Sequence, residues 1–262
     1  AAALGPPLLL PPSLAVAKAP PPTQKEITSY LSTLVASPDP ASALAFEIFS
    51  DDSEYSPSSY QFRRLDSSPD ADFYSEPKLT EHIDAAAVEA LTRRNSALAR
   101  GRFRLLDVGA SHVSHLGVLD EGVKVTGLGM NAGELKANSQ LSTYNVVDLN
   151  KSPRLPYADN SFDAAFCQLS IDYLTSPILV LKEVSRVLVP GGLFAISFSD
   201  RVFMSKQVAV WSGKDDFDHL LTVAGYFGQS KREGADWDIK TIKGTVLVDG
   251  GKGDPLYEVQ CQ

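Results

Sequence analysis

"LPYADNSFDAAFCQLSIDYLTSPILVLKEVSRVLVPGGLFAISFS", Leu155 to Ser199, reads as strand, helix, strand. Phe162 to Cys167 and Leu193 to Phe198 are short apolar runs, as expected of parallel strands buried on both faces. Between them Ser176 stands as a helix N-cap and Pro177 takes the favoured first position. Ile178, Leu181, Val184 and Leu188 then form a stripe at helical spacing. Pro190-Gly191-Gly192 ends the helix and turns the chain into the next strand.

The same texture extends outward. Phe103 to Val108, Val123 to Leu128 and Thr143 to Val147 are candidate strands before the quoted stretch. A helix over Asp215 to Tyr226 and strands over Trp237 to Ile242 and Leu256 to Gln260 follow it. Residues 101–262 are therefore expected to form a doubly wound α/β fold with seven strands, mostly parallel. Upstream, residues 23–100 make a helical and extended arm. Ile27, Tyr30, Leu31 and Leu34 give Thr23 to Ser50 a helical pattern, with a second short helical segment at Ala43 to Phe49. Asp51 to Pro77, rich in Ser, Asp, Pro and Tyr, is a surface linker or wrapping arm, and a helix is expected over Thr80 to Ala99. His82 and Tyr74, near its start, read as capping and packing residues.

Residues 1–22 hold seven prolines. They are either a disordered tail or the remnant of a targeting peptide, with Ala15-Val16-Ala17 as the small-residue pattern at a cleavage site. No stretch of the chain is apolar for long enough to span a bilayer. The formal net charge of −8 argues against nucleic acid as a partner. Cys167 and Cys261 are too few for a disulfide framework, and no clustered ligands suggest a metal.

Over Leu155 to Ser199 the chain resembles the class I S-adenosylmethionine-dependent methyltransferases, specifically their type 11 branch. The proline loop, "NSFD", "KEVSRVLVPGG" and the following strand come in that family's order and spacing. "DFYSEPKLTEHIDAAAVEAL" and "GLGMNAGELKAN" are similar to methyltransferase-like proteins of plant and algal plastids. That likeness implies a chloroplast protein of the stroma or thylakoid surface. The family resemblance also implies the strand order 3-2-1-4-5-7-6, with the last strand antiparallel. Cys167 and Cys261 would then flank strand five, roughly 9 to 10 Å apart, so both thiols are expected to be free.

The resemblance further implies S-adenosylmethionine as cofactor, held by Asp107, Gly109, Ser111, Asn131, Asp148, Leu149 and Gln168. Two departures stand out. Ser111 and Val113 replace glycines of the loop after strand one, and a β-branched residue resists positive φ, so an altered loop path is expected. Gly129 stands where the family places an acid that holds the ribose hydroxyls, a loss worth roughly 1.5 to 3 kcal/mol, or about ten- to a hundredfold in affinity. Either Asn131 or Glu134 reaches the sugar instead, or "NAGE" is only a capping box. Asp148 is either the adenine partner or a turn cap, and Asp172 and Tyr173 are expected to face the crevice beside Gln168.

His112 and His115 read as a proton shuttle or as packing, and no catalytic residue is assigned. The acceptor, a small molecule or a protein, is expected between the arm before Glu81 and Arg201 to Gly213, where Phe203, Met204 and Trp211 are apolar. Two functions stand side by side. One is a methyltransferase with a degenerate cofactor loop. The other is an inactive fold serving as a scaffold, assembly factor or subunit of a plastid complex through its arm.

Overall fold

The computed structural model describes residues 44–47, 59–251 and 253–262. The expectations for the Pro-rich tail and for the helix up to residue 42 lie outside these residues. In chain order the strands are β1 (Leu44–Glu47), β2 (Arg104–Val108), β3 (Lys124–Gly129), β4 (Thr143–Val146), β5 (Phe162–Gln168), β6 (Leu188–Phe198), β7 (Lys243–Val248) and β8 (Leu256–Cys261). The α-helices are α1 (Asp70–Phe73), α2 (Ala85–Ala99), α3 (Ala132–Ala137), α4 (Pro177–Val187) and α5 (Asp216–Arg232).

The sheet runs β1-β7-β8-β6-β5-β2-β3-β4. From β2 onward this is the expected seven-stranded order, with β8 antiparallel to both neighbours and β2 to β6 all parallel. Cys167 on β5 and Cys261 on β8 are free and buried, and β6 lies between them. One strand is additional. Leu44–Glu47, expected to be helical, pairs antiparallel with β7 instead. The unpaired backbone groups of an edge strand recruit such a segment whatever its local periodicity.

Alternation along the strands divides the core. Leu106, Val108, Ala165, Cys167, Phe194 and Ile196 point toward α4 and α5, where Val180, Leu181, Val184, Val223 and Phe227 complete the larger cluster. Leu105, Ala164, Phe166, Leu193 and Ala195 point the other way, against Ala99 and Leu116. Each such large side chain, fully buried, contributes about 1.5 to 3 kcal/mol.

Three boundaries move for local reasons. Helix α2 starts at Ala85, because Asp84 caps it through Ala87 N (2.9 Å) and exchanges hydrogen bonds with Asp254. The strand expected over Trp237 to Ile242 does not form there: Asp238 caps a 3₁₀ turn over Ile239–Thr241 and β7 takes Lys243–Val248 instead, while Trp237 packs on Phe194 and Phe227. Pro190-Gly191-Gly192 lies within an irregular stretch of β6 rather than before it; there the pairing with β5 shifts register and Gly191 takes φ +73°. Helix α4 starts at Pro177 as expected, without a side-chain hydrogen bond from Ser176.

The arm wraps. Its chain pairs with the segment after β6 through Asp66 N to Ser205 O (2.8 Å) and Ala209 N to Arg63 O (2.7 Å). A buried ionic knot fastens it. Arg64 Nη1 reaches both Asp70 oxygens at 2.8 Å, and Asn150 Nδ2 donates to Asp70 Oδ2 at 2.8 Å. Lys206, fully buried, lies 3.1 Å from Asp66 and 3.3 Å from Asp70, and donates to Ser68 O at 2.9 Å. Burial pushes the Asp70 carboxyl up, but Arg64, Asn150 and Lys206 outweigh it and hold it below the usual range. Asp70→Ala leaves two buried cations without their shared anion and is expected to cost about 3 to 5 kcal/mol, read as a fall in the urea midpoint.

Candidate functional site

A cavity of about 150 Å³ opens at the carboxyl ends of β2 to β5. Open α/β sheets bind their ligands at that position. Loop 109–117 forms one wall. Gly109 N and Ala110 N both donate to Leu128 O, at 2.8 and 2.9 Å, which stitches the loop onto the end of β3. A Cβ at Gly129 would therefore collide with the Ala110 carbonyl. This path of the loop leaves no room for a side chain at Gly129.

Gly109 takes φ +77°, and a Cβ on it would lie 2.8 Å from the Ser170 side chain. Val113 escapes the left-handed region, which falls instead on His115 (φ +43°) and, across the cleft, on Leu169 (φ +52°). Both line the cavity, the setting in which backbone strain most often persists.

Asn131 caps α3, its Oδ1 accepting from Gly133 N (2.7 Å) and Glu134 N (3.0 Å). Its Nδ2 donates to Tyr74 O (2.8 Å) and Ser75 O (3.1 Å) on the arm. Half of the expected capping box is present; Glu134 does not return to Asn131. Its Oε1 accepts from Lys78 N and its Oε2 from Ser111 Oγ, both at 2.7 Å. Asp148 lines the cavity, and its Oδ1 caps a turn through Asn150 N (2.9 Å) and Lys151 N (3.1 Å), which is the turn-cap reading. Leu149 is buried beside it. Gln168 braces the loop through Ser114 O (2.7 Å) and accepts from Asn95 at 3.2 Å.

Asp107 lies on the cavity wall, 2% exposed, with no partner for Oδ2. Burial pushes its carboxyl up to about 7, against the pull of the Ser114 hydroxyl. Tyr173 lines the cleft as expected, but Asp172 turns into the core, where burial lifts it to about 7 and Oδ2 has no partner.

His82, His112 and His115 all line the cavity. His115 Nε2 lies 3.4 Å from Glu81, and burial still holds this imidazole below its usual range. Burial and then the nearby His112 depress His82, which packs edge-on to Phe203. Among the described residues no group of three or more potential ligands is placed to hold a metal.

Phe203 reaches the cavity, Met204 is 65% exposed, and Trp211 stacks on His219 in the core. The arm's Tyr74, Lys78, Glu81 and His82 all stand in the cavity wall; of these, the sequence reading put Tyr74 and His82 to packing and passed over Lys78. The signal was present in "DFYSEPKL", whose aromatic and basic residues have no helical or strand periodicity to absorb them.

Two outcomes test this geometry. Gly129→Asp is expected to lower stability by about 1 to 3 kcal/mol in urea unfolding, with no gain in ligand affinity, since the added Cβ displaces the loop. Asp172→Asn addresses pH. A carboxyl raised in the folded state contributes its stability below the unfolded pKa and loses it as pH rises through about 7. The variant is expected to melt above the parent at pH 8, by about 2 to 4 °C per kcal/mol recovered, and to match it near pH 4.

Residues 106–196 match the family profile described as a methyltransferase domain. A malonyl-[acyl-carrier protein] O-methyltransferase of Marinomonas sp. is 36% identical over 67 residues, 26% of this chain and 25% of that protein. A sterol 4-C-methyltransferase of Caenorhabditis elegans is 31% identical over 87 residues, 31% of this chain and 26% of its own length. A demethylmenaquinone methyltransferase of Renibacterium salmoninarum is 32% identical over 102 residues, 38% and 43% respectively. The chain thus spans less than half the length of these relatives. A solved S-adenosylmethionine-dependent methyltransferase of Aquifex aeolicus aligns at 20% identity and a TM-score of 0.45, over 68% of this chain and 93% of that one. Over residues 106–196 the chain is thus similar to the methyltransferase domains that this profile describes.

Proposed function

We propose that this chain binds S-adenosylmethionine in the cleft at the ends of β2 to β5 and methylates an acceptor held beneath its N-terminal arm. One observation carries the reading: Asp107, Gly109, Ser111, Asp148 and Leu149 line one open cavity, together with Val113 and Tyr74. When bound, S-adenosylmethionine supplies a methyl group on a positively charged sulfonium.

The residues suit such a ligand. Asp107 offers an unpartnered buried oxygen, and a neighbouring cation favours its ionised form. Leu149 gives an apolar surface, and Asp148 keeps Oδ2 outside the turn it caps. Tyr74, Tyr173 and Phe203 shield the acceptor side, and the depressed His82 imidazole stands there, neutral, to accept a proton. The acceptor is a small molecule or a protein. The relatives are named for malonyl-[acyl-carrier protein], a sterol and demethylmenaquinone, which do not choose among acceptors.

A second reading is a scaffold or assembly subunit, in a plastid if the arm's resemblance holds. It is favoured by the arm's direct bonds to Glu134 and Asn131, which engage cleft groups with the chain's own backbone.

Calorimetric titration with S-adenosylmethionine separates the two. Saturable binding at about 0.1 mM or tighter is expected, and no heat at about 1 mM from folded protein overturns the enzyme reading. Affinity is also expected to rise by up to about tenfold in all from pH 6 to 8, most of it below pH 7, as a cation draws the raised Asp107 carboxyl down and releases its proton. Asp107→Asn flattens that profile. His82, on the opposite wall, contributes a residual slope.

A further inference from the structure

We infer that Glu134 is the carboxylate that takes the two ribose hydroxyls of the nucleoside cofactor, and that through it the sugar and the N-terminal arm are coupled. The inference rests on the cofactor reading above and adds the residue and the linkage.

Gly129 has no side chain and no room for one beneath the Ala110 carbonyl. Asn131 has its amide fully committed: Oδ1 accepts two backbone N–H groups and both Nδ2 hydrogens go to Tyr74 O and Ser75 O. Glu81 is half exposed and faces His115. Glu134 is the next acid after Gly129, is 6% exposed, and lines the same cavity as Gly109, Asp148 and Leu149.

A carboxylate has about four acceptor positions, two on each oxygen. Lys78 N–H fills one on Oε1 and the Ser111 hydroxyl fills one on Oε2. One position remains on each oxygen, the number that a vicinal diol requires. No Lys or Arg side chain forms an ion pair with Glu134 among the described residues, so its charge is answered only by neutral donors. Ser111, which replaces a glycine of the loop, fixes the carboxylate from the loop side. The two departures from the family pattern thus meet at a single side chain.

The arm enters through Lys78, whose N–H sits on the same oxygen that would take a hydroxyl, while Asn131 holds Tyr74 and Ser75 one turn away. A ligand that orders Glu134 orders the arm, and by reciprocity a docked arm tightens the ligand.

The test compares S-adenosylhomocysteine with its 2′,3′-dideoxy counterpart by calorimetry on the full chain and on Glu134→Gln. The parent is expected to favour the diol by about ten- to a hundredfold. In Glu134→Gln that ratio falls to within about threefold, while dideoxy affinity changes less than about threefold, because the amide oxygen still accepts from Lys78 N–H. Hydrogen exchange at residues 74–78 is expected to slow with the diol ligand and not with the dideoxy one, a response that a purely structural role for Glu134 does not produce. Equal binding of the two ligands by the parent, or an undiminished ratio in Glu134→Gln, overturns the assignment while leaving the cofactor reading intact. Failure of the parent to bind either ligand overturns the cofactor reading and this inference with it. Should Glu134→Gln not fold, Glu134→Asp, checked by its melting temperature, is expected to show the same loss of ratio.

Discussion

Two backbone N–H groups, those of Gly109 and Ala110, converge on one carbonyl oxygen at Leu128, and the architecture of the cleft follows from that convergence. It pins the first loop across the tip of the neighbouring strand. The pinned loop claims the space above Gly129, sends the positive backbone angle on to His115, and lets Ser170 close against Gly109. A glycine-rich loop gains close ligand approach by omitting side chains. Here the same region is shaped by main-chain bonding, and its side chains, Ser111 and His112 among them, face the cavity.

The opposite wall has a different origin. It is made by a stretch with no regular secondary structure beyond a few turns, held by charges that cancel in a buried place. Arg64, Lys206 and Asp70 would each be costly alone; together with Asp66, Ser68 and Asn150 they form a satisfied network. Asn150 belongs to both systems, since it follows the Asp148 turn and also meets Tyr173 O and Thr175. Cleft and arm are therefore one mechanical unit.

The strands up to β6 and the helices after them were legible because they rest on periodicity and stop signals, which a single sequence displays, whereas the strand order came from the family resemblance. What misled were places where a distant partner decides the conformation. Leu44–Glu47 became a strand because β7 had a free edge, and Trp237 left its strand because Asp238 capped a turn. At the cleft, Asp107, Gly109, Asp148 and Leu149, which the family resemblance singled out, line one cavity. Lys78 was passed over and Glu134 was left undecided, since their partners lie 56 residues apart in the chain and no local pattern joins them.

The network beneath the arm also bears on how the molecule assembles. Lys206 meets Ser68 across 138 residues of chain, so that contact forms only after the sheet has brought the segment following β6 into position. Closing so long a loop is entropically unfavourable until a scaffold exists to receive it. Chain connectivity thus favours an order in which the sheet forms first and the arm docks onto it afterwards.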